Sequence, residues 1–130
     1  MENNISELQQ RQLDFLEDTI KYYSEDPSGR RSVENGQCMY KSSDGRKCAV
    51  GRFISDHLYD CIIEGKSIDD IFVEKYIPEK LKELGFPFLR RIQTLHDFNS
   101  YWSNEEGLSV SGKLWVERTK ELVISGLFND

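Results

Sequence analysis

Scarcity is informative in this chain. Prolines number three, and no internal repeat or low-complexity tract is visible, which leaves out proline-rich spacers and solenoids. No apolar run approaches the ~20 residues that a membrane-crossing helix needs, so no membrane segment is expected. The opening Met1-Glu2-Asn3-Asn4 is polar and acidic, unlike an export or transit leader, and the expected location is cytoplasmic. Cys38, Cys48 and Cys61 are too few, and odd in number, for a disulfide framework, so they read as free thiols. Histidine is limited to His57 and His96, which leaves little material for a histidine-rich metal centre.

What is present suits one folded domain spanning residues 1–130. The 38% hydrophobic and 12% aromatic content supports a core. A chain of this length can bury roughly two-thirds of its unfolded surface. The net charge of −6 argues against general nucleic-acid binding. That charge is unevenly spread, however. Residues 1–29 hold Arg11 and Lys21 against seven acids, whereas 30–52 hold Arg30, Arg31, Lys41, Arg46, Lys47 and Arg52 against Glu34 and Asp44. The middle of the chain is a basic island in an acidic protein, a pattern suited to an anionic ligand or an acidic partner.

Asn4 with Glu7 resembles a capping box opening a first helix. Ile5, Leu8, Phe15, Leu16, Ile20 and Tyr23 supply its apolar face, and Asp26-Pro27-Ser28-Gly29 stops it. A polar link from Arg30 to Gly36 leads to alternating residues that predict strands over Gln37–Lys41 and Arg46–Val50. Ser42-Ser43-Asp44-Gly45 forms the turn, with glycine in the left-handed region. Ser42 then lies opposite Arg46, Tyr40 opposite Cys48 and Cys38 opposite Val50, on one inward face. Lys41 and Lys47 point the other way.

Ser55 suits a short helix through Tyr59, and Glu64-Gly65 a break. Ser67 and Pro78 suit two further helix starts, the second running to Leu84 before Gly85. A helix from about Pro87 to Asn99 turns Phe88, Leu89, Ile92, Leu95, His96 and Phe98 inward. Ser109 or Ser111 opens a last helix carrying Leu114, Trp115, Val116, Leu122 and Val123, closed by Gly126. The expected fold is α+β and mostly helical, with about four to five helices and one small antiparallel hairpin near residues 37–50.

The cysteines invite a metal or a nucleophile. Finger-type zinc sites space their thiols two to four residues apart, whereas nine residues separate Cys38 from Cys48. A metal set would need Cys38, Cys48 and His96 to converge in space. A thiol nucleophile needs an oriented histidine. Asp97 follows His96 directly, so on a helix their side chains diverge by about 100°, a poor arrangement for orienting the imidazole. Small thiols packed on the hairpin's inner face are the simpler reading. His96 reads as a core histidine, or as one wall of a pocket with Tyr40 and Glu64. Ala49 and Gly51 mark a close backbone approach, and one glycine with Arg52 is no phosphate loop. Arg30-Arg31 and Arg90-Arg91 are further candidate anion sites, and Trp102 and Trp115 read as core anchors.

Arg31-Ser32, Gly36-x-Cys38-x-Tyr40, Asp44-Gly45-x-Lys47-Cys48-Ala49-Val50-Gly51, Ile54, Tyr59 and Glu64-Gly65, with the later Leu89-x-x-Ile92-Gln93-x-x-His96-Asp97, together carry a likeness. The chain resembles small hypothetical proteins of bacteria and their phages, a group that supplies no catalytic residues. In that group Pro-Asp-Glu often follows the apolar pair at 53–54. Ser55-Asp56-His57 stands here instead, which weakens any shared ligand role for His57. The resemblance implies a bacterial or phage setting. With no coherent catalytic set, the expected function is that of a non-enzymatic binding protein. Its partner would be a host or phage protein, or a small anionic ligand, held by Lys41, Arg46, Lys47 and Arg52 with Tyr40, Glu64 and His96 in the adjoining pocket. No cofactor is implied, and the oligomeric state is left open. The alternative is a small enzyme or metal-binding protein using Cys38, Cys48 and His96.

Overall fold

The computed structural model describes residues 5–128. Its chain order is α1 (Glu7–Ser24), α2 (Pro27–Arg30), β1 (Val33–Glu34), β2 (Gln37–Cys38), α3 (Ile71–Glu74), α4 (Glu79–Lys82), α5 (Phe86–Asp97), β3 (Trp102–Ser103), β4 (Gly107–Leu108) and α6 (Val110–Ile124). Short 3-10 turns cover Gly51–Phe53, Cys61–Ile63 and Asn99–Tyr101. This is a mostly helical α+β fold in which the long helices α1, α5 and α6 pack on one another. The described residues contain two small antiparallel hairpins rather than one, and six helices rather than four or five.

Helix α1 is capped by Ser6, whose hydroxyl accepts from the Gln9 amide while the Gln9 side chain accepts from the Ser6 amide. This is a true capping box, two residues on from the anticipated Asn4–Glu7 pair; Asn4 lies outside the described residues. Asp26-Pro27-Ser28-Gly29 does more than stop the helix. Asp26 caps the one-turn α2, with Pro27 at its first position, where a missing N–H costs nothing.

The buried face of α1 is Gln9, Gln12, Leu16, Thr19 and Tyr23, with Leu8, Phe15 and Ile20 only flanking it. Two glutamines can occupy that face because helix ends leave carbonyls without partners. Gln9 donates to Val123 O (2.9 Å) at the end of α6, and Gln12 to Leu84 O (2.9 Å) just beyond α4. α5 keeps the expected inward face: Phe88, Leu89, Ile92, Leu95 and His96 are all fully buried. Phe98, expected inside, sits just past the helix end and is exposed, as is Leu114 on α6. Ser55–Tyr59 is a hydrogen-bonded turn rather than a helix, and Asp70, not Ser67, caps α3.

The hairpin near 37–50 is narrower than the alternation suggests. Its tip has the anticipated register: Lys41 bridges Lys47, the Ser42 amide donates to Arg46 O (2.8 Å) and the Cys48 amide to Tyr40 O (3.3 Å). Gly45 has φ +92°, as the turn requires. Cys38, however, pairs with Val33 rather than lying opposite Val50, because Asn35 (φ 53°) and Gly36 (φ 77°) make a second, two-residue turn. Residues 37–42 therefore change partners midway, from the 32–34 side to the 46–48 side.

Candidate functional site

Where residues 37–40 cross α5, a cavity of about 290 Å³ opens, lined by Cys38, Tyr40, Cys48, Lys66, Gln93 and Asp97 among others. Two further hollows adjoin it, one over Gln37–Met39 and Glu64–Gly65, one running along α5 past Arg90 and Thr94. Glu64 anchors the far wall. Its carboxylate accepts from the Tyr40 amide (2.8 Å), the Lys41 amide (3.0 Å) and the Tyr59 hydroxyl (2.6 Å). The buried Tyr40 hydroxyl donates to Lys66 O (2.7 Å), and burial pushes its pKa up. Tyr40 and Glu64 thus fix the loop over 59–66 to the hairpin. Gly51 lies against this joint: a Cβ there would overlap the Tyr40 carbonyl oxygen and stand 3.2 Å from Tyr40 Cα. The close approach read from Gly51 is therefore one of backbone to backbone.

His96 does not face the cavity; it is fully buried behind Asp97. Its Nε2 accepts from the Ser32 amide (3.0 Å), so that nitrogen carries the lone pair. The proton then sits on Nδ1, which donates to Asp97 Oδ1 at 2.7 Å. Adjacent helix positions were expected to hold these groups apart. They meet because α5 ends at Asp97, where no following turn confines the carboxylate. Burial pushes the His96 pKa down despite the carboxylate. Arg31 closes the back of the assembly: its buried guanidinium donates through Nε to His96 O (2.6 Å) and through Nη1 to Asn99 Oδ1 (2.7 Å).

The thiols are held in different ways. The half-buried Cys38 donates to Asp97 O (3.5 Å); burial and then the Asp97 charge push its pKa up to about 11. Cys48 accepts from the Gly51 amide (3.2 Å) and the Gln93 side chain (3.3 Å), and burial pushes its pKa up to about 12. At neutral pH both are protonated, unlike an activated nucleophile. Cys38, His96 and Asp97 place ligand atoms within 4.8 Å of one another, a group that does not include Cys48. A metal on Nδ1 would force the imidazole proton onto Nε2, which faces the Ser32 N–H donor. The donor set is thus already used by the protein.

The basic island is internally paired. Lys41 and Lys47 share Asp56 (3.2 and 2.7 Å), which lowers that carboxyl's pKa. Arg46 binds Asp44 (2.8 Å) and donates to the carbonyls of Arg31 and Val33, while Arg52 reaches Asp18 (3.2 Å) and lies over the Tyr22 ring. Cys61 is exposed and apart. Arg31, Ser32, Gln93 and Asp97 shape the site more than the lysines do. Gln93 and Asp97 stand within the Gln93-x-x-His96-Asp97 segment, and Arg31 within the Arg30-Arg31 pair read as an anion site; nothing local in the sequence marks Arg31 and Ser32 as partners of His96. No helix is long and apolar enough to cross a membrane among the described residues. No protein-family model, curated protein or solved structure matches the chain.

Proposed function

We propose that this chain is a non-enzymatic binding protein, cytoplasmic and of bacterial or phage setting, whose ligand seat is the cleft between the hairpin and α5. One observation carries the reading: the Asp97 carboxylate stands on the cleft wall, oriented from behind by a buried, neutral His96. Such an arrangement holds a hydrogen-bond acceptor in place without supplying a free base, since Nε2 is already bonded to Ser32. A polar small ligand with N–H donors suits it better than the anion suggested by the charge profile, because Lys41, Arg46, Lys47 and Arg52 are each paired with a carboxylate.

The test is an NMR titration of the full chain with small amines and amides, and in parallel with acetate and phosphate. Amide shifts at Met39, Gly65 and Ser67 with the donor fragments, lost in Asp97→Asn, support the cleft. Shifts only with the anions, clustered at Lys41 and Lys47, would move the function to the basic face.

A further inference from the structure

A different face of α5, turned towards α6, carries a surface that the cleft does not use. Arg91 lies flat on Trp115, its guanidinium carbon 3.6 Å from the ring centre. Trp115 stacks on Tyr101 (5.4 Å, 25°) and Tyr101 on Phe98 (5.3 Å, 24°). Arg91 is held there by Thr119 Oγ1 (2.7 Å), and the Trp115 indole N–H donates back to Arg91 O (3.2 Å). Beside this ladder is an open cavity of about 450 Å³, lined by Arg91, Tyr101, Ser111, Leu114, Trp115 and Arg118.

We propose that this surface docks an acidic peptide segment of a protein partner, one that combines carboxylates with an aromatic or leucine side chain. Two guanidiniums line the cavity and no carboxylate does. Arg118 reaches Glu121 (3.2 Å) outside the lining, and Arg91 has no ion-pair partner among the described residues. Burial and the neighbouring Arg118 charge both lower the Arg91 pKa, so an incoming carboxylate would relieve a repulsion already present. The aromatic wall accepts a ring or branched side chain, and guanidinium over indole is a surface on which such groups stack. The apolar area continues beyond the cavity: Val110 (76% exposed) and Leu114 (67%) sit one helical turn apart on α6, and Phe98 (52%) ends the ladder. That extent exceeds what a small anion needs and matches a peptide lying along the first turns of α6.

The experiment is selection of a yeast-displayed random 12-residue peptide library with the labelled full chain. Enriched peptides should carry two or more Asp or Glu beside an aromatic or leucine residue. Their binding should weaken at least tenfold in Arg118→Glu and in Leu114→Ser. Both positions are exposed, and the parent melting temperature should be retained. Enrichment of basic peptides, or none, would overturn the proposal. So would binding that both variants leave unchanged, or a chain whose own concentration-dependent association those variants abolish.

Discussion

Glu64 offers the most direct measurement of what joins the hairpin to the loop over it. Glu64→Ala removes three acceptor contacts, to two backbone amides and one phenol. Hydrogen bonds to a charged acceptor contribute about 1.5–3 kcal/mol each, but half-buried donors recover water, so the summed cost falls to about 2–4 kcal/mol. Glu64→Gln keeps one carbonyl oxygen and the side-chain shape. It turns an amide NH2 towards the Lys41 N–H and the Tyr59 hydroxyl, and only the hydroxyl can reverse its role. Its expected cost is about half that of the alanine variant. Urea unfolding followed by far-UV circular dichroism gives both values, with an unchanged slope showing that only stability has moved. A loss below ~0.5 kcal/mol in Glu64→Ala would refute the clamp and return Glu64 to the role of a ligand-facing carboxylate.

Gly51→Ala should destabilise the fold by about 1–3 kcal/mol, since its methyl meets backbone rather than a side chain that can swing away; the same unfolding assay reads it. Stability should also fall as pH drops from about 7 to 5. His96 is held neutral with its pKa below the unfolded value near 6.5, so its contribution is present above that value and is lost as protons bind the unfolded state first. His96→Gln should flatten that slope in urea titrations at each pH, while the paired carboxylates of Asp44, Asp56 and Asp69 act only nearer pH 4.

Local chemistry made some features legible. The inward face of α5 follows from its 3.6-residue apolar spacing, and the Ser42–Arg46 register follows from a turn whose glycine must take positive φ. Asn35-Gly36 was equally local, being the strongest short-range signal for a two-residue hairpin, yet the charged residues around it read as a link. Other features are tertiary and leave no periodic mark. Gln9 and Gln12 occupy the buried face of α1 because other helices present bare carbonyls there, which hydrophobicity cannot register. The lysines at 41 and 47 read as a free basic face until the fold brings Asp56 to them. His96 and Asp97 are neighbours in sequence, and only the position of the helix end decides whether they meet.

The Gln9 contact with the last turn of α6 joins positions 114 residues apart. A force applied near the two ends of the chain would therefore reach the α1–α6 seam first, before either hairpin is loaded. At that end the seam is held by the Gln9 side-chain amide on the Val123 and Ile124 carbonyls. Opening it would strip α1 from the bundle while Glu64 still clamps the cleft wall.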